Sequence, residues 1–114
     1  MAGNARVFAY PFSDIYKLYV QKVERKDRAV EELDEVLTWL TGYDVETLHT
    51  FDGDLADFFE SAPSINPGTA QITGIVCGVR VEDIEDPLIQ KIRWMDKVVD
   101  ELAKGKKLEK ILRS

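Results

Sequence analysis

The chain has 114 residues, 45% of them apolar and 32% charged, with a net charge of −6, which fits one globular domain around a single core and excludes a disordered polymer. No apolar run reaches the ~18–20 residues a membrane span requires, no signal-peptide core follows Met1–Arg6, and neither Ala2 nor the C-terminus offers a lipidation signal. The single cysteine, Cys77, excludes an internal disulfide and argues against a zinc site, so the expected setting is the cytosol, without metal, cofactor or membrane partner.

Residues 1–10 read as a short tail leading into Pro11. Ser13 is placed to cap a helix, with Asp14 in the first turn where the helix dipole favours a carboxylate. Phe12, Ile15, Tyr16, Tyr19, Val20 and Val23 recur at helical spacing, and Lys22, Arg25 and Lys26 follow at the end that favours cations. A helix is therefore expected over about 13–26. After a break at Asp27-Arg28, Val30, Leu33, Val36, Leu37 and Leu40 form a second stripe, with Glu31, Glu32, Asp34 and Glu35 opposite it. Gly42 closes that helix, and the two form a helical hairpin.

Asp44 can cap a short helix carrying Val45, Leu48 and Phe51. Asp54, after the turn signal Asp52-Gly53, can cap another carrying Leu55, Phe58 and Phe59. Pro63 ends it, and Ser64–Thr69, with Asn66-Pro67-Gly68, reads as a loop. Residues 70–84 admit two readings. Ile72, Ile75, Val76 and Val79 fit one helical face, whereas Ile75, Cys77, Val79 and Val81 alternate as a strand does, and Gly74 and Gly78 weaken both. The lack of a partner strand elsewhere tips the segment toward helix. Asp86 and Pro87 then open the last long helix as N-cap and first helical residue. Leu88, Ile92, Met95, Val99 and Leu102 keep its apolar spacing, Gly105 ends it, and Leu108, Ile111 and Leu112 add a short terminal helix. The expected fold is a mainly α, small multi-helix domain over 11–114: a hairpin (about 13–41), short helices across 44–61 and a long helix over 87–104, with residues 70–84 open to an extended form.

The charge is unevenly laid out. From Ala29 to Val79 there is no Lys or Arg, yet ten acids fall there; the flanks hold all 15 basic groups and the other 11 acids, a surplus of four positive charges. Candidate chemistry is sparse. Asp52, Asp54, Asp57 and Glu60 suggest a calcium loop, but the fifth and sixth positions are Ala56 and Asp57, where an oxygen ligand and glycine are needed. Glu82, Asp83, Glu85 and Asp86 precede a helix, where acids are expected without chemistry. His49 has no nucleophile motif beside it and reads as a half-exposed helix residue. Cys77 lies in apolar company, which favours a packed thiol, although Arg80 stands three residues away. Trp39 and Trp94 read as core anchors. The basic C-terminal stretch, with Lys104, Lys106, Lys107, Lys110 and Arg113, can contact phosphates or complement a helix dipole.

Several runs resemble an uncharacterised prokaryotic family, the domain of unknown function numbered 2200. They are Trp39-Leu40-Thr41-Gly42-Tyr43, Ala62-Pro63 with Asn66-Pro67, Ile72-Thr73-Gly74, Cys77-Gly78-Val79-Arg80-Val81-Glu82, Ile84-Glu85-Asp86-Pro87-Leu88, Asp100-Glu101-Leu102-Ala103-Lys104-Gly105-Lys106 and Lys110-Ile111-Leu112-Arg113. Together they cover nearly the whole chain beyond the tail. The family pattern has Thr at the start of the second helix, where this chain has Ala29, which leaves Asp27 to serve as cap. The resemblance implies a bacterial, full-length, stand-alone domain and brings no activity with it.

Three functions are weighed, and the sequence leaves the function unknown. The leading one is an interaction module whose acidic surface, Glu31, Glu32, Asp34 and Glu35, meets a basic protein partner. The second is nucleic-acid binding through the basic C-terminus. The third is a small enzyme or ligand-binding protein with a site near Cys77, Gly78, Arg80 and Glu82. The chain is expected to be a monomer or a homodimer.

Overall fold

Each apolar stripe becomes the inner face of a helix. The computed structural model describes residues 9–76 and 78–112. The elements are α1 (Phe12–Arg25), α2 (Val30–Thr41), α3 (Val45–Thr50), α4 (Leu55–Glu60), a 3₁₀ turn (Pro67–Gln71), β1 (Ile75–Val76), β2 (Val79–Arg80), a second 3₁₀ turn (Val81–Asp83), α5 (Pro87–Ala103) and α6 (Leu108–Ile111). The fold is mainly α. Among the described residues, no helix is long and apolar enough to cross a membrane.

Helix α1 begins at Phe12, behind Pro11 rather than at a capping Ser13. Backbone pairing replaces the side-chain cap: the Phe12 amide donates to Gly53 O at 2.9 Å and the Leu55 amide to Tyr10 O at 3.0 Å, making a short antiparallel bridge between Pro11 and Asp54. At the other end Asp27 closes α1 instead of opening α2. It sits at φ 62°, its amide donates to Glu24 O and the Arg28 amide to Val23 O, the left-handed closure that usually selects glycine. Ala29 starts α2 without a side-chain cap. The Glu32 carboxylate stands in by accepting the Ala29 amide at 3.3 Å, and it also takes both Arg28 Nε and Nη2.

Leu33, Val36, Leu37 and Leu40 bury the inner face of α2. Gly42 then turns the chain at φ 81°, where an added Cβ would lie 3.0 Å from Ser64 N, so conformation and space both demand glycine. Asp44 caps α3 by accepting the Thr47 amide at 2.7 Å. Asp54 and Asp57 form a reciprocal capping box on α4, so two acids of the supposed calcium loop serve a helix start. Phe12 stacks on Phe58 at 3.8 Å between centroids, with Phe51 edge-on to both. The Tyr43 hydroxyl donates to Phe58 O at 2.6 Å, and burial pushes its pKa up.

The lean toward helix over 70–84 does not hold. β1 pairs antiparallel with β2, Ile75 opposite Arg80 and Val76 opposite Val79. The partner strand lies two residues onward rather than elsewhere in the chain. Gly78, at φ 78°, supplies the left-handed residue that a two-residue turn needs. Part of the expected loop before it is the first 3₁₀ turn, capped by Asn66, whose side chain accepts the Gly68 amide at 2.7 Å. Helix α5 starts on Asp86, which accepts the Leu88 and Ile89 amides, and it is the hub. It packs against α1, α2, α4, α6, β1 and the second 3₁₀ turn, and Ile92, Met95, Val98, Val99 and Leu102 are buried.

Candidate functional site

The helical hairpin and α3 converge on one carboxylate. The Tyr16 hydroxyl on α1 donates to Asp34 Oδ1 on α2 at 2.5 Å. His49 Nε2 on α3 lies 2.9 Å from Asp34 Oδ2 and 3.0 Å from the Tyr16 hydroxyl. Asp34 is only 6% exposed. Burial first, then the hydrogen bond to Asp34 and its charge, raises the Tyr16 pKa well above the tyrosine range, with Glu31 adding to the effect.

Asp34 also lines a surface depression of about 310 Å³ together with Glu31, Glu35, Thr38 and Val45. The four α2 residues follow the spacing of one helix stripe, and Val45 is 44% exposed at its edge. The buried Thr38 hydroxyl oxygen has no hydrogen-bond partner among the described residues. Glu31 and Glu35 make no ion pair among the described residues either. Glu35 borders a second depression, of about 460 Å³, with Lys107, Leu108, Glu109 and Leu112.

The acids of α5 are differently placed. Asp96 accepts the Tyr19 hydroxyl at 2.5 Å and Arg93 at 3.1 Å. Asp100 pairs with Lys22 at 3.3 Å and Lys104 at 3.1 Å. Burial opposes ionisation of Asp100, yet Lys104 and Lys22 together hold its carboxyl below the usual range. Glu101 pairs with Lys106 at 3.4 Å.

Of the expected acidic surface, Glu31 and Glu35 are exposed as read. Glu32 is half-buried and committed to Arg28, which holds its carboxyl below the usual range. Asp34 is a correction: it lies inside the Tyr16–His49 contact, because α1 and α3 cover that part of α2, and is not opposite the apolar stripe. Of the spot near the cysteine, Cys77 lies outside the described residues and Gly78 forms the hairpin turn. Arg80 stands 3.9 Å from Glu82 and 3.8 Å from Asp83. Glu82 accepts the Gly74 amide at 2.9 Å, the main reason its pKa is lowered, so it ties the base of the hairpin. Lys104 and Lys106 are engaged with Asp100 and Glu101, Lys107 and Lys110 are exposed, and Arg113 lies outside the described residues.

His49 is the residue that sequence reasoning passed over. It is half-exposed, as expected, but it has a partner 15 residues away. One signal was available: His49 is the only group between Ala29 and Val79 that can carry positive charge.

Fold and site together define a small, mainly α-helical domain with an acidic groove along its second helix. The chain belongs to DUF2200, a family of uncharacterised proteins conserved in bacteria, whose model matches residues 6–113. The crystal structure of the uncharacterised protein SP1917 is similar, with a TM-score of 0.87 and 44% identity over 94% of this chain and 90% of that one. No curated protein matches. Neither likeness brings an activity with it.

Proposed function

We propose that this protein is a small interaction module of the cytosol whose α2 face receives a basic segment of a partner protein. One observation carries the reading: Glu31, Asp34 and Glu35 line a single depression to which no Lys or Arg among the described residues is paired, while the acids of α5 are matched by cations. An incoming Arg or Lys gains the exposed carboxylates of Glu31 and Glu35 without displacing a partner cation, above the buried Asp34 that Tyr16 and His49 already hold. A single cysteine fits a reducing compartment. Binding of nucleic acid by the C-terminal segment is disfavoured, since Lys104 and Lys106 are already engaged.

The test is calorimetric titration with an arginine-rich peptide and a glutamate-rich one of equal length at low salt. The basic peptide binds, more weakly as salt rises, and Glu31→Gln with Glu35→Gln lowers its affinity about five-fold or more, on the order of 1 kcal/mol. No binding of the basic peptide, or equal binding by the variant, overturns the reading.

A further inference from the structure

We infer that the basic segment belongs to a second copy of this chain: the outer face of α1 in each protomer docks on the α2 groove of the other. The inference rests on the proposed role of the α2 face and names its partner. Leu18, on α1, is 58% exposed, the most exposed large apolar side chain among the described residues. On exposed positions of the same helix stand Lys17, Arg25 and Lys22, the last already paired with Asp100, against Asp14 and Glu24, with Lys26 and Asp27 just past its end, a surplus of one positive charge. Lys17 and Arg25 make no ion pair among the described residues. The α2 groove offers the complement in kind, with Glu31 and Glu35 uncompensated and Val45 exposed beside them. Each protomer thus carries the unpaired cations Lys17 and Arg25 beside an exposed Leu18 on one helix, and an acidic groove with an apolar edge on the next.

Lys17 and Arg25 stand about 12 Å apart along α1, and the groove stripe from Glu31 to Thr38 runs about 10 Å along α2, so the two faces match in length. A two-fold arrangement makes this contact twice and closes on itself. One helix face per contact is a small interface, so the pair is of modest affinity and depends on salt.

Sedimentation velocity from about 10 µM to about 1 mM tests it. At low salt the mass rises toward twice that of one chain across this range, and about 0.5 M NaCl weakens association ten-fold or more. Glu31→Lys with Glu35→Lys abolishes association, as does Lys17→Glu with Arg25→Glu. All four changes in one chain restore it to within about three-fold. Leu18→Ser weakens it with no change of charge. All five positions are exposed, and far-UV circular dichroism checks that each variant folds; Glu31→Gln with Glu35→Gln is the milder pair if a reversal does not. A monomer at every concentration, or a dimer indifferent to these substitutions, overturns the inference. A monomer that still binds the arginine-rich peptide through Glu31 and Glu35 leaves the proposed function standing and removes only the second copy as its partner.

Discussion

Helix α1 carries two tyrosines three residues apart, and each reaches across a helix seam to an aspartate at the same distance. Tyr16 donates to Asp34 on α2, and Tyr19 to Asp96 on α5, both at 2.5 Å. The joints differ in the second partner. Asp96 meets Arg93, a permanent cation; Asp34 meets His49, which is charged only when protonated. One tyrosine–aspartate joint therefore meets a permanent cation, and the other meets a histidine beside the α2 groove. The same bond pins structure on one side of α1 and sets up a surface on the other.

The largest effect is expected where both joints hang together. Phe58→Ala removes the ring stacked on Phe12, fully buried at the start of α1, and should cost about 3–5 kcal/mol in urea unfolding. A loss under about 1 kcal/mol would mean that α1 is held by something else. Next comes the contrast between the aspartates. Asp96→Asn strands the guanidinium of Arg93 and should cost about 1–2 kcal/mol. Asp34→Asn keeps an acceptor for Tyr16 and removes a buried charge with no permanent cation, so it should stay within about 0.5 kcal/mol of the parent, with either sign. Equal losses would break the comparison.

The pH dependence sharpens it. The Tyr16 pKa is raised in the fold, so its contribution is complete below about pH 10, the unfolded value, and fades as pH climbs beyond it. The Asp100 pKa is lowered, so its contribution is present above about pH 4 and fades as pH falls through the folded value. Thermal melts across pH should show Tyr16→Phe flattening the alkaline limb and Asp100→Asn the acid limb, neither touching the other. One further change lies outside both joints. Asp27→Gly relieves a left-handed aspartate and should stabilise by about 0.5–1 kcal/mol in the same urea assay, leaving the aspartate contrast unchanged.

Helix α5 was legible because its signals are local: Asp86, Pro87 and the apolar spacing from Leu88 to Leu102 all lie within one element. Gly42, Asp44 and Asp54 were legible for the same reason. The start of α1 was not, because its cap is a backbone bridge to Gly53 and Leu55, more than 40 residues away, and nothing in Ser13 announces that. Asp27 was misplaced by one turn: the residue types that cap a helix start also tolerate the left-handed conformation that ends one. Over 70–84 the two-residue strands are too short for alternation to separate them from a helical face, so pairing decided what pattern left open. The groove was half visible. The absence of Lys and Arg from the middle of the chain pointed to Glu31 and Glu35, but burial of Asp34 by Tyr16 and His49 is a fact of three helices meeting.

The hub has a consequence in time as well as space. Helix α5 gathers α1, α2, α4 and the hairpin, yet it begins at Pro87, after three quarters of the chain. During synthesis at about 5–20 residues per second, the apolar faces of α1, α2 and α4 emerge several seconds before the helix that covers them. The aromatic stack of Phe12 on Phe58 and the bridge from Pro11 to Asp54 lie wholly within that early portion. Both contacts join residues that are synthesised before α5, which supplies the last large face of the core.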